Sequence, residues 1–297
     1  MVAEFVFTPT ESKHLIAKAV AALPQVKKAL ENGIVALHPS TTTYYILKEL
    51  TGEYPDVDKV WVTGMIVPKG QCVEAHTQLK KSEKTASSGL NKMLANAGTY
   101  AHTYVIVNGK RTYGWVLNDL TERMGPGDIY IKGVNGMDAY GKVAVQIGSV
   151  DENGTIGRMV AARAKNGFEI LAPTGLEKFV PGSLMDAARF VNKGAGYSTG
   201  VKARLYPFEA NVITEIDALE SLTNVTAVQF SAGGVSGAEG AVSIAVEGTE
   251  EQVNAAIALA ESVKGSQLPA IYSPQCLDCS MPSCHLCGEL KPWVKEG

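Results

Sequence analysis

Between Ile34 and Leu171, short apolar runs alternate with segments whose apolar residues recur at helical spacing, and this alternation restricts the fold more than any other feature. Strands separated by helices of about ten residues are joined by crossovers, which set neighbouring strands parallel and lay helices on the sheet faces. Ile34–Leu37 and Val60–Val67 read as buried strands, and a helix over Tyr44–Leu50 stops at Gly52. Thr103–Val107 and Arg111–Trp115 flank Asn108-Gly109-Lys110, a hairpin signal. Ile129–Lys132, Val143–Ile147 and Phe168–Leu171 read as further strands, with helices over Leu117–Met124 and Ile156–Lys165. Ahead of them, Glu11–Leu30 carries an amphipathic helical pattern that Pro24 kinks or splits.

After the glycine-rich stretch NKGAGYSTG the pattern changes. Strands at Lys202–Phe208, Val225–Phe230, Ala241–Val246 and Ala270–Tyr272, with helices at Val212–Leu222 and Glu250–Val263, spell β-α-β-β-α-β, the ferredoxin-like order. The expected architecture is α/β. A Rossmann-like, mostly parallel sheet with helices on both faces spans residues 1–198, a smaller ferredoxin-like α+β domain spans 199–273, and a Cys-rich tail spans 274–297.

A hydrophobic share of 45%, a charged share of 19% and a net charge of -3 are those of a globular chain without a basic surface for nucleic acid or anionic membrane. The N-terminus lacks the pattern of a signal peptide, and no segment approaches the roughly 20 apolar residues of a membrane span. Cysteine usage reads as a reducing cytoplasm.

Two segments offer anion-binding chemistry. His38-Pro39-Ser40-Thr41-Thr42-Thr43 lies between a strand and a helix start, where free backbone N–H groups and the helix dipole favour an anion. One hydroxyl suffices for a helix cap, so Ser40, Thr41, Thr42 and Thr43 together suggest phosphate, with simple capping as the alternative. In GDIYIKGVNGMDAYGKV, Lys132 ends a strand and precedes Gly133, Asn135, Gly136 and Asp138. Ligands of open parallel sheets bind outside the carboxyl ends of the strands, so a lysine, an amide and a carboxylate there could hold a sugar phosphate or move a proton. The same residue types also make ordinary turns.

Near the C-terminus, Cys276, Cys279, Cys284 and Cys287 read C-x2-C-x4-C-x2-C. Paired thiolates this close suit a closed structural site for Zn2+, with an iron–sulfur cluster as the alternative and His285 as a substitute ligand. Reduced thiols on a disordered tail or two disulfides are the lesser alternative. Cys72, Glu74 and His76 form a weaker grouping, His14 and His102 read as surface or core histidines, and 231–240 reads as a hairpin loop.

The runs GIVALHPSTTTYYI, GDIYIKGVNGMDAYGKV and VAARAKNGFEILAPTGLEKFVP resemble the superfamily of ribose-5-phosphate isomerases, glucosamine-6-phosphate deaminases and CoA transferases. The closest echo is the sugar-phosphate-sensing domain of bacterial repressors of the deoxyribose-operon type. The matching pieces are Gly133, Asn135, Gly136 and Asp138, then Glu177-Lys178-Phe179, with residues 40–43 in place of the family's first phosphate loop. That loop is usually glycine-rich, and here it reads HPSTTT. Only about thirty residues precede the first strand, too few for a repressor's DNA-binding domain, and none of Glu122, Glu152 or Glu169 aligns with the CoA-transferase glutamate. The resemblance implies binding and isomerase- or lyase-type turnover of a small anionic metabolite, with Asp138 and Lys132 catalytic and Lys178 neutralising charge. The alternative is a metabolite-sensing or assembly module whose tail responds to metal or redox state. A homo-oligomer is expected in either case.

Overall fold

The computed structural model describes residues 1–54, 62–76, 103–112, 115–148 and 153–269, with 276–277, 284–286, 288 and 291–293 of the tail. Its centre is a six-stranded mixed sheet in the order β12-β10-β7-β2-β5-β6. These strands are β2 (Ile34–Leu37), β5 (Tyr104–Val107), β6 (Lys110–Thr112), β7 (Ile129–Ile131), β10 (Glu169–Pro173) and β12 (Asn211–Ile213). The first four in sheet order run parallel, while β5 and β6 form an antiparallel hairpin at one edge. That hairpin turns at Asn108 (φ 48°) and Gly109 (φ 74°), the left-handed pair that an Asn-Gly turn supplies.

Successive strand residues point to opposite faces, and both faces are covered. Val35, Leu37, Ile129, Ile131 and Leu171 pack with helices α1 (Pro9–Ala22), α2 (Pro24–Asn32) and α3 (Thr41–Thr51). Ala36, Tyr130, Ile170 and Ala172 pack with α4 (Leu117–Arg123) and α5 (Gly154–Asn166). Pro24 separates α1 from α2 because Leu23 turns extended (ψ 129°), so the long amphipathic pattern becomes two helices.

A second layer joins the two ends of the chain. Strand β1 (Val2–Phe7) pairs antiparallel with β14 (Ala241–Glu247), which pairs with β13 (Thr226–Gly233). Phe7, Val242, Ile244 and Val246 pack against α1, α7 (Glu215–Thr223) and α8 (Glu250–Glu261), so α1 serves both cores. This layer differs from the strand order read in sequence. The N-terminal strand was not anticipated, although VAEFVF alternates correctly, with Ala3, Phe5 and Phe7 turned inward. Strand β11 (Arg204–Phe208), expected beside β13 and β14, pairs with β9 (Val143–Ile147), which also binds β8 (Gly136–Met137). Residues 212–213, read as the start of a helix, belong to the edge strand β12, because Thr214 caps α7 only from Glu215 onward. Strands β3 (Thr63–Val67) and β4 (Gly70–His76) form a separate hairpin, α6 (Leu184–Val191) packs on β11, and the expected strand at 270–272 lies outside the described residues. Among the described residues no helix is long and apolar enough to cross a membrane.

Candidate functional site

The four parallel strands end on one edge, and ladder hydrogen bonds carry their loops a residue further. His38 N–H donates to Ile131 O, Lys132 N–H to Leu171 O and Thr174 N–H to Ile213 O, each at 2.9 Å. Two helices, α3 and α7, begin at this edge and direct their positive ends toward it.

At α3 the hydroxyls divide their work. Thr43 N–H donates to Ser40 Oγ (3.1 Å), Ser40 N–H donates to Thr43 Oγ1 (2.8 Å), and Thr43 Oγ1 donates to His38 O (2.8 Å). Ser40 and Thr43 are therefore the cap, and Thr42 is buried. The first-turn amides of Thr41 and Thr42 remain as the anion-facing donors of the helix. Gly133 belongs here as well, since a Cβ on it would stand 2.8 Å from Ser40 Oγ. The loop after β7 thus lies directly on the cap of α3.

Lys132 follows β7, and Lys178 closes a 3-10 turn (Leu176–Lys178) after β10. Both are half-buried, lining protein on most sides while part of each stays accessible. Among the described residues neither ammonium has a hydrogen-bond or ion-pair partner. Burial, then the charge of Lys178, pulls the Lys132 amine down to about 7. Burial also lowers Lys178, against the fields of Glu177 and Glu215. Lys13, arriving on α1, is lowered by burial and by Lys178 while the same two glutamates oppose the shift. Cations in a desolvated recess without carboxylates at contact distance are unstable as charges, and an incoming anion relieves them.

Glu215, the first residue of α7, is fully buried. The N–H of Leu176 donates to both its carboxylate oxygens (2.9 and 3.2 Å). Burial pushes its carboxyl up to about 7, with the charge of Glu177 acting in the same direction and Ser12 and Leu176 opposing. Ser12 Oγ is buried beside it, favours the ionised form and has no other partner among the described residues. Glu177 Oε2 is also buried without a partner among the described residues. The turn that folds Glu177 back needs Gly175, where a Cβ would stand 1.8 Å from that oxygen. The edge therefore holds Lys132, whose following Gly133 lies on the α3 cap, with Lys178 acting on it, and a carboxyl group of Glu177 and Glu215 with Ser12 and Lys13.

The loop after Gly133 has a different task. Asp138 accepts N–H donors from Tyr140, Lys142 and Leu184, each at 2.9 Å. Burial alone would raise its pKa, but these three amides hold it below the usual carboxylate range. Its lone pairs are engaged in tying the β8–β9 turn to the start of α6, which leaves it poorly suited to exchange protons. Asn135 Oδ1 accepts Gln146 N–H (2.9 Å), and Gly136 packs against Val180 and Leu184. Of the sequence candidates, Lys132, Gly133, Lys178 and the 40–43 turn are thus brought to one edge, while Asn135, Gly136 and Asp138 build the support behind it. Glu215, Ser12 and Lys13 were not anticipated. An acidic residue just after a Thr cap reads as ordinary dipole compensation, which hid Glu215.

In the tail, Cys276 and Cys284 are described, and Cys279 and Cys287 lie outside the described residues. Cys284 bridges to Val201, its Sγ accepts Leu286 N–H (3.4 Å), and His285 N–H donates to Gly200 O (3.2 Å). Cys72 lies on β4, but its grouping with Glu74 and His76 falls on side chains outside the described set, as does His102. His14 is a structural link, stacked on Tyr45 (4.6 Å) and bonded to Glu49 (3.2 Å) and Ser266 (2.8 Å). Neither a family model nor a curated protein sequence matches this chain.

Proposed function

We propose that the chain binds a small phosphorylated or otherwise anionic metabolite at the carboxyl edge of its parallel strands and turns it over by proton transfer, as an isomerase or lyase. The observation that carries this reading is the pair Lys132 and Lys178, desolvated and without acid partners among the described residues, with Gly133 next to Lys132 lying on the N-terminal cap of α3. Lys178 and the amides of Thr41 and Thr42 hold the anion. Glu215 takes the acid/base role for which Asp138 was the sequence candidate, because a carboxyl near neutrality exchanges protons efficiently at physiological pH. The resemblance to the phosphosugar isomerase and CoA-transferase superfamily agrees with an anionic substrate. The finer descriptions, a Rossmann-like main sheet and a ferredoxin-like second unit, belong to this proposal, as do a homo-oligomeric state and a cytoplasmic setting suited to clustered thiols.

Lys178→Met tests the reading. Calorimetric titration with inorganic phosphate should show affinity falling at least 10-fold, the effect of removing a charge-assisted contact of about 1.5–3 kcal/mol. Unchanged phosphate affinity in a folded variant would contradict the site.

A second reading rests on the tail. Cys284 and His285 dock on Gly200–Val201, and that segment in turn pairs with Gln71 of β4, so a tail event is transmitted to two other segments. In this reading the pocket senses a metabolite, and Cys276, Cys279, Cys284 and Cys287 hold Zn2+ or an iron–sulfur cluster as a closed structural centre. The N–H of Leu286 on Cys284 Sγ fits that role, since such donors stabilise a thiolate ligand.

A further inference from the structure

Resting on the anion-site reading, we propose that Lys132 is a carbonyl-capturing amine and that the metabolite is an anionic ketone or aldehyde, held through its anion by Lys178 and bonded covalently through its carbonyl carbon to Lys132 Nζ. Three features separate Lys132 from the other lysines. It leaves the end of a central strand whose backbone is fixed by the Lys132 N–H to Leu171 O bond, and Gly133 rests on the α3 cap, so the amine springs from a rigid point. Some lysines face a carboxylate, as Lys264 does with Glu11 (2.7 Å) and Lys18 with Glu49 (3.8 Å). Lys132 has none among the described residues. Finally, Lys13 and Lys178 both lie in the fields of Glu177 and Glu215, which favour ammonium, whereas among the described residues the charge acting on Lys132 is the cation of Lys178. A desolvated amine beside a second cation is the arrangement that keeps a lysine nucleophilic.

The step balances without a further reactant. The Nζ lone pair attacks the carbonyl carbon, a C–N bond forms, and the carbonyl π pair moves to oxygen, which takes up the proton that nitrogen loses. A second proton, taken from solvent at the partly accessible end of Lys132, lets that oxygen depart as water and leaves an iminium ion. The carbon adjacent to the iminium is thereby made acidic. The iminium draws electrons from that carbon, which serves either enolisation or carbon–carbon cleavage.

Trapping tests this directly. The full chain is incubated with the phosphorylated ketone dihydroxyacetone phosphate and cyanoborohydride, and its peptides are read by mass spectrometry. The expected result is a reduced adduct on Lys132 forming at least tenfold faster than on any other lysine. Its rate should rise with pH through about 7, inorganic phosphate should protect, and Lys132→Arg should remove the adduct. Adducts spread evenly over the lysines, or concentrated on Lys178, would overturn the assignment, as would no adduct on a chain that still binds phosphate. Loss of phosphate binding itself would overturn the anion site beneath it, so the two failures are distinguishable by calorimetry.

Discussion

Lys132→Met is expected to melt higher than the parent chain near neutral pH and to form none of the trapped carbonyl adduct. The stability gain follows from linkage. The amine falls from 10.5 to about 7 on folding, a shift of about 3.5, and at 1.36 kcal/mol per unit this caps the cost of the charged form at about 5 kcal/mol. Partial access of the ammonium to solvent reduces that to about 2–3 kcal/mol, worth several degrees in Tm for a chain of this size. Because the folded pKa is depressed, its stabilising contribution is complete only above the unfolded value and is lost as pH falls through the folded one. The gain from methionine should therefore be largest below pH 7 and vanish above about 10.5. Thermal melts across pH 6 to 10 read this profile. A variant that is less stable at every pH would show that Lys132 is held by a partner in the folded chain and is not waiting for a ligand.

The second large effect is expected from Glu215→Gln, with opposite pH dependence. Here the carboxyl rises from 4.5 to about 7, a shift of about 2.5, or about 3 kcal/mol. The protonated form is favoured in the fold, so its contribution is full below the unfolded pKa and lost as pH rises through the folded one. Glutamine retains an acceptor for the Leu176 N–H and removes the charge, so the variant should gain up to about 3 kcal/mol at pH 8 and almost nothing at pH 4.5. If Glu215 transfers the proton, turnover in the same variant should fall by about 10²–10⁴ with phosphate affinity preserved. A gain in stability without any loss of turnover would reduce Glu215 to a structural carboxyl.

The two substitutions illustrate how far the sequence could be read. Local chemistry was legible. Asn108-Gly109 turns its hairpin, Pro24 ends α1, and Ser40 caps α3, because each depends on residues within a turn of itself. Lys132 and Lys178 were picked out singly, the first from the end of a strand and the second through resemblance, and parallel pairing of β7 with β10 brings them together. What could not be read was partnership at a distance. Val2–Phe7 alternates like any strand, and nothing local says that it will pair with β14 at the other end of the chain. Glu215 looks like an ordinary acidic residue in a first turn until α1 closes over it with Ser12. Asp138 misled for the reverse reason. The residues that make Gly133 to Asp138 look reactive are those a tight turn needs, and its carboxylate is used by three amides of its own surroundings.

The most direct test of the central claim, an anion site made by two unpaired lysines, is proton exchange on binding. An anion arriving between Lys132 and Lys178 favours the charged form of Lys132 and must draw a proton from solution. Calorimetric titration of the full chain with inorganic phosphate at pH 8, in two buffers of different ionisation enthalpy, measures that uptake. One saturable site with net proton uptake, lost in the Lys132→Met, Lys178→Met double variant, is the predicted result. No saturable binding, or binding whose heat is the same in both buffers and survives the double substitution, would contradict it.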